Sequence, residues 1–176
     1  MKVRSLCHAG VTVRNLEEAA RWYWEVFRLP LVAAGEMNRG DLERMKALYR
    51  LEDCSLKFGM LLCPKGGTIE IFEFSKTEVA EHRWNSPGVT HFTFDVKGIF
   101  RWHEKLTARG DVEVLTPVQN TDGNQWFFFR DPDGNLVELM DLKFNYILLR
   151  YLSRIAGFFM RKFQFSSIYK VPVVND

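Results

Sequence analysis

A chain of 176 residues, 47% hydrophobic and 26% charged, has enough apolar content for one cored domain or for two small modules sharing a core. Its net charge of +2 is uneven, because residues 143–176 carry six Lys or Arg against Asp176, a balance of +5, and the remainder carries 18 basic and 21 acidic residues, a balance of −3. The body is therefore not a nucleic-acid binder by charge, and three cysteines without CxxC or zinc-finger spacing, with no signal-peptide pattern at the N-terminus, point to a reducing, cytoplasmic setting.

Residues 5–13 alternate as a strand, with Cys7, Ala9, Val11 and Val13 on a packing face and Leu6, His8, Gly10 and Thr12 on the other. A helix should follow, with Asn15 as N-cap, Glu18 at the capping-box position, and Leu16, Ala19, Ala20, Tyr23, Val26 and Phe27 in helical spacing. Pro30 stops it. Leu31 to Ala34 read as a short strand, residues 36–52 as an inserted helix and loop, and Ser55 to Cys63 as a strand. Gly66-Gly67 turns the chain into Thr68 to Phe74, where Thr68, Glu70, Phe72 and Phe74 share one face.

Val89 to Val96 repeats the first pattern, with Phe92, Phe94 and Val96 packing and His91 on the side of Val89, Thr93 and Asp95. Residues 98–109 read as a helix closed by Gly110, and strands are expected at about 112–118, 125–130 and 135–141. The last two form a hairpin through Asp131-Pro132-Asp133-Gly134, a type I turn with Gly134 free to take positive φ. On its returning strand Glu138 shares a mostly apolar face with Leu136 and Met140, and a carboxylate there needs a partner.

The two halves are an internal repeat. His8 and His91 each open a strand that reaches a Val five residues later, then a basic residue, and each half ends in a strand with a central Glu. His8 to Glu70 spans 62 residues and His91 to Glu138 spans 47, and the insertion at 36–52 accounts for the difference. The reading is an α+β fold of two tandem βαβββ modules, 3–75 and 88–142, forming a cupped mixed sheet within a domain at 1–142, followed by a helical extension at 143–176. Equivalent faces would carry His8, Glu70, His91 and Glu138. Two imidazoles and two carboxylates suit one divalent transition metal, with Zn, Ni, Co, Mn and Fe all open.

His8-Ala-Gly-Val-Thr-Val, Thr68-Ile-Glu-Ile-Phe-Glu, Thr90-His-Phe-Thr-Phe-Asp-Val and Asp131-Pro-Asp-Gly-Asn-Leu-Val-Glu-Leu resemble the vicinal oxygen chelate superfamily, which includes glyoxalase I, epimerases, extradiol dioxygenases and bleomycin-binding proteins. The resemblance covers about residues 3–142. It implies a glyoxalase-like fold, a metal held by His8, Glu70, His91 and Glu138 as in bacterial glyoxalase I, and Glu138 or Glu70 as general base, with Glu138 marginally ahead. Where glyoxalase I typically has an arginine and an asparagine for glutathione, this chain has Thr12 and Phe74, which argues against a glutathione adduct. The implied activity is isomerisation, epimerisation or lyase chemistry by proton transfer next to a carbonyl of a small oxygenated substrate, in a homodimer. The alternatives are an extradiol-type ring-cleaving dioxygenase, disfavoured by the fourth ligand Glu70, and a non-catalytic antibiotic-binding protein, disfavoured by the complete ligand set.

Glu73, His82 and His103 are expected to be structural, Glu73 as a strand-end residue near water. Trp22, Trp24, Trp126 and Phe127 to Phe129 read as core or cup wall, and the cysteines as buried small hydrophobes. In the extension, Lys143, Arg150, Arg154 and Arg161 fall on a narrow helical stripe among Phe144, Ile147, Leu148, Tyr151, Leu152, Ile155, Phe158 and Phe159. Charges interrupt any run long enough to span a bilayer. The preferred reading is a helix packed on the body or a dimer partner. The second is peripheral membrane contact through 143–165.

Overall fold

The computed structural model describes residues 5–77, 84–85 and 87–169; His82, the first residues of module 3–75 and of domain 1–142, and the last residues of the extension lie outside these. The first half runs β1 (His8–Thr12), α1 (Leu16–Phe27), β2 (Leu31–Met37), α2 (Arg39–Arg44), α3 (Lys46–Tyr49), β3 (Leu56–Leu62) and β4 (Thr68–Phe74). Its sheet has the order β1-β4-β3-β2, with β1 parallel to β4 and the other pairs antiparallel. The second half runs β5 (Phe92–Asp95), α4 (Ile99–Thr107), β6 (Glu113–Val114), β7 (Gln119–Thr121), β8 (Asn124–Arg130) and β9 (Leu136–Asp141). Its sheet has the order β5-β9-β8-β6, with β5 parallel to β9 and β7 also paired to β8. The architecture is α+β, two mixed sheets followed by a helical segment.

Local sequence explains most departures from the expected boundaries. The strand expected at 112–118 is broken, because Pro117 has no N–H for a ladder and the chain bends before β7. The Thr116 side chain fills the gap by accepting from the Phe128 N–H at 3.1 Å. β2 extends past Ala34 to Met37, with Gly35 directly across from Phe58; a Cβ at Gly35 would lie 2.7 Å from the Phe58 ring, so only glycine lets that ring cover the strand. α4 stops at Thr107 with Ala108 as its C-cap in right-handed geometry, and Gly110 does not cap it.

Both modules bury their packing faces in one core. Trp22, Tyr23 and Val26 of α1 meet Ile69 and Ile71 of β4 together with Phe127, Phe129, Val137 and Leu139 of the closing hairpin. Phe27 joins the halves by stacking on Trp102 of α4 at 5.3 Å between ring centroids. A separate small cluster, Leu42, Cys54 and Leu56 with Tyr49, Phe72 and Phe74, lies on the opposite face of the first sheet under the insertion. The period of two sends Ile69 and Ile71 into the main core and Glu70, Phe72 and Phe74 to the other side.

The closing hairpin takes the turn read from its sequence: Gly134 adopts φ +89 and donates its N–H to the Asp131 carbonyl at 2.9 Å. Asp131 organises it. One carboxylate oxygen accepts from the N–H groups of Asp133 and Asn135 at 3.0 and 2.8 Å, and the other accepts from Tyr23 Oη at 2.8 Å. Burial pushes the Asp131 carboxyl above its ordinary pKa, and the Tyr23 phenol is held well above its own, first by burial and then by the neighbouring carboxylate. This bond ties the helix of the first module to the turn of the second.

After β9, Lys143 takes φ 47 and ψ −120, and the chain enters a helical segment at 144–164. Its α-helical turns, α5 (Phe144–Ile147) and α6 (Ser153–Phe159), alternate with π-helical turns at Leu148–Leu152 and Met160–Gln164. Contacts with the body come at the start, where Tyr146 Oη accepts from Lys65 Nζ at 2.9 Å and Asn145 donates to Asn124 Oδ1 at 2.9 Å. Beyond this first turn the apolar side chains are exposed on this chain, so of the expectation that the extension packs on the body or on a dimer partner, the packing along the body is not met.

Candidate metal centre

The ladder registers place the four sequence-derived residues in matching positions. In the first sheet Gly10 of β1 stands across from Glu70 of β4, and His8 is two residues before Gly10. In the second, Thr93 of β5 stands across from Glu138 of β9, and His91 is two residues before Thr93, just ahead of the strand. Each histidine therefore meets the glutamate of its own module. His8 Nε2 lies 3.3 Å from Glu70 Oε2, and His91 Nε2 lies 3.3 Å from Glu138 Oε2. The two pairs stay apart: among the described residues, no three His, Cys, Asp or Glu side chains gather at one point.

The halves differ in how firmly the carboxylate is held. Thr93 Oγ1 donates to Glu138 Oε2 at 2.7 Å, and the Glu138 side chain is only 9% exposed. Gly10 has no hydroxyl to offer Glu70. A Cβ at Gly10 would stand 3.0 Å from the Phe72 ring, which occupies the space that the threonine uses in the other module. His91 is likewise the better packed imidazole, with its edge against Phe128 at 5.0 Å and Nδ1 hydrogen-bonded to Thr90 Oγ1 at 2.9 Å. His8 is 45% exposed. Across from His8, the hydroxyl of Thr68 is buried with no partner among the described residues.

If Thr90 accepts from Nδ1–H, the Nε2 lone pair of His91 faces a carboxylate oxygen and a proton or a cation must lie between them; if Thr90 donates to Nδ1, His91 Nε2–H faces Glu138 as a donor. Two ligands each about 2.1 Å from one ion and about 90–110° apart are themselves about 3.0–3.4 Å apart, so both pairs have the spacing of one edge of a metal site. The donor set fits a divalent ion of nitrogen and oxygen preference.

Beside the first pair lies a cavity of about 240 Å³, lined by Gly10, Val11, Thr12, Tyr49, Phe72 and Phe74. Tyr49 comes from the insertion and meets Phe74 edge-on at 6.1 Å. The inserted segment thus forms one wall of the pocket. Its lining carries no cation and no side-chain amide, and Thr12 and Phe74 both belong to it.

Three comparisons bear on this geometry. Residues 5–139 match the family model for the Glyoxalase/Bleomycin resistance protein/Dioxygenase superfamily. The chain belongs to that superfamily. Among solved structures, a glyoxalase family protein from Bacillus cereus is similar at 22% identity and TM-score 0.65, covering 80% of this chain and 95% of its own. A trypanothione-dependent glyoxalase I from Leishmania major matches at 16% identity and TM-score 0.58, over 91% of this chain and 97% of its own. The fosfomycin resistance protein FosX from Listeria monocytogenes, complexed with Mn(II) and sulfate, matches at 19% identity and TM-score 0.52, over 80% and 93%. At these identities the likeness establishes the fold. Among curated proteins, none matches the sequence.

Glu73 is structural as expected, and what sequence reasoning missed is its partner, the start of α1. One of its oxygens accepts from the Leu16 N–H at the start of α1 at 2.7 Å, and the other from Lys57 Nζ at 3.0 Å. These bonds hold its carboxyl below the usual carboxylate range, the backbone N–H contributing most. His103 is structural as expected, its Nε2 at 3.2 Å from the Thr116 carbonyl and its ring against Phe127. The aromatics divide as alternation requires. Trp22, Phe127 and Phe129 are core, Trp126 and Phe128 lie on the face of Glu138, and Trp24 is half exposed. Of the cysteines, Cys54 is buried, Cys63 half-buried with its thiol pushed up by burial, and Cys7 exposed.

Proposed function

We propose that the protein is a metal-dependent enzyme of the superfamily that moves a proton next to a carbonyl of a small, uncharged, largely apolar oxygenated substrate. The observation that carries this reading is the His–Glu pair repeated at the same distance and the same register in both modules. His8 and Glu70 of one subunit, with His91 and Glu138 of its partner in a homodimer, would hold one divalent ion. A twofold axis then makes two equal sites from the two halves of each chain. The manganese of FosX supports a divalent ion in this fold, and the donors here leave Zn, Ni, Co, Mn and Fe open.

The bound ion supplies positive charge that offsets the oxyanion formed when the substrate loses its proton. The chain's own groups divide the remaining work. Thr93 and the packing around Glu138 hold that carboxylate in place, so it positions. Glu70 faces a glycine and has no hydroxyl donor, so it is the carboxylate with freedom to reach the substrate carbon, and we assign it the general base. The geometry thus shifts preference from Glu138 to Glu70. Tyr49, Phe72 and Phe74 present apolar wall where a glutathione adduct would require charged and amide contacts.

Mixing subunits tests the shared site. His8→Ala and His91→Ala each remove one ligand from every site. A heterodimer of the two variants has one site with all four ligands and one with neither histidine, so unfolding and refolding an equal mixture should restore about a quarter of the wild-type tight metal binding. Metal analysis after dialysis reads this directly. A mixture that binds no more than its components would refute a site shared between subunits, and full metal content in both single variants would refute the ligand assignment. Solvent deuterium entering product in the wild type, and lost in Glu70→Gln, tests the base.

A further inference from the structure

The helical segment at 144–164 has no use in the site described above and little contact with the body. Phe144, Tyr151, Ile155 and Phe163 are 76%, 70%, 60% and 65% exposed, fractions that helices of a folded domain keep for polar residues. Its charge is one-sided. From Leu142 to Asn175 there is no acidic residue, whereas Lys143, Arg150, Arg154, Arg161 and Lys162 lie in or beside the helix. Arg150, Arg154 and Arg161 recur at intervals of four and seven, along one stripe, and leave a broad apolar face.

A second copy of the segment and an anionic bilayer could each cover such a face, and charge decides between those two; the body of a partner subunit, at −3, is the remaining occupant, and sedimentation of the Phe158→Ser/Phe159→Ser variant separates it from the bilayer. A second copy of the segment would bring five more cations and no carboxylate to meet them. An anionic bilayer surface supplies both an apolar layer and fixed negative charge. No described helix is long and apolar enough to cross a membrane, so the segment would lie in the plane of the interface. The body, with its balance of −3, has no electrostatic reason to approach that surface. We propose that the 144–164 helix docks the protein onto anionic lipid, its phenylalanines in the acyl boundary and its arginines among the headgroups.

The probe is full-length protein with vesicles of phosphatidylcholine containing about one third phosphatidylglycerol, against phosphatidylcholine alone, by co-sedimentation. Protein should partition strongly to the anionic vesicles and weakly to the neutral ones. Each arginine near such a surface contributes about fivefold, so Arg150→Gln/Arg154→Gln/Arg161→Gln should bind on the order of a hundredfold more weakly. Phe158→Ser/Phe159→Ser should lose binding to both vesicle types. Both variants should keep the wild-type unfolding midpoint, because the helix stands off the body. Wild-type protein that ignores anionic vesicles at low salt, or variants that bind as it does, would overturn the proposal. So would a Phe158→Ser/Phe159→Ser variant whose sedimentation drops to monomer while wild type never binds vesicles, since a second copy would then cover the face.

Discussion

Replacing Glu73 with alanine tests how the first module holds its helix. The carboxylate accepts the Leu16 N–H at 2.7 Å, one of the N–H groups that the first turn of α1 leaves unpaired, while Asn15 accepts from Glu18 at 3.0 Å. Losing a side-chain acceptor at such a position costs about 1 kcal/mol. Removing negative charge from a helix N-terminus adds about 0.3–1 kcal/mol. The Lys57 contact is discounted, because that side chain is 57% exposed and such pairs contribute about 0–1 kcal/mol. The expected loss is about 1–2 kcal/mol at neutral pH, or a fall in Tm of roughly 2–8 °C for a chain of this size. The folded carboxyl is depressed, so its stabilisation is present above the unfolded value of about 4.3 and is lost as pH falls through the folded one. Denaturant unfolding of wild type and Glu73→Ala at pH 7 and pH 3 should therefore show a gap that narrows on acidification. Glu73→Gln, which keeps an oxygen acceptor, should lose less. An equal gap at both pH values would refute the electrostatic account, and no gap at either would refute the cap.

Two further perturbations probe the site and the joint between modules. Thr93→Val removes the 2.7 Å donor to Glu138 at nearly constant shape, and losing such a support of a metal-binding carboxylate should weaken metal affinity about 10–100-fold, read by competition with a chromogenic chelator; unchanged affinity would detach Thr93 from the site. Tyr23→Phe deletes the buried 2.8 Å bond to Asp131 and should lower stability by about 1.5–3 kcal/mol in urea unfolding, whereas a loss under half a kcal/mol would mean that the remaining donors to Asp131 suffice.

The fold was legible because strand alternation and the duplication agree. A strand with Ile69 and Ile71 on one face and Glu70 and Phe72 on the other has only one way to sit against an apolar helix, and the second half repeats the lesson with Val137, Glu138 and Leu139. The pairing of each histidine with a glutamate follows from a parallel ladder between the first and last strands; the repeat placed the four residues on matching faces without giving that ladder. What stayed hidden depends on distance in sequence or on surroundings. Glu73 and Leu16 are 57 residues apart, and nothing local marks a strand-end carboxylate as the cap of a preceding helix. Periodicity reveals that the extension has an apolar face without revealing whether the body covers it.

The duplication also explains why the halves need each other and why they are unequal. Each module brings one imidazole and one carboxylate, too few to enclose a divalent ion, and the shared core turns the packing faces inward while the His–Glu pairs remain separate within one chain. In the proposed homodimer, a symmetric partner would join two such half-sites. Divergence then assigns roles. Where one copy has Thr93 against its glutamate, the other has Gly10, with the Phe72 ring in the vacated space and Tyr49 of the insertion closing the pocket beyond. A composite site of this kind has one carboxylate fixed by a hydroxyl and one left free beside an apolar cavity. The proposed proton transfer would use both: the fixed group to keep the ion in position and the other to move.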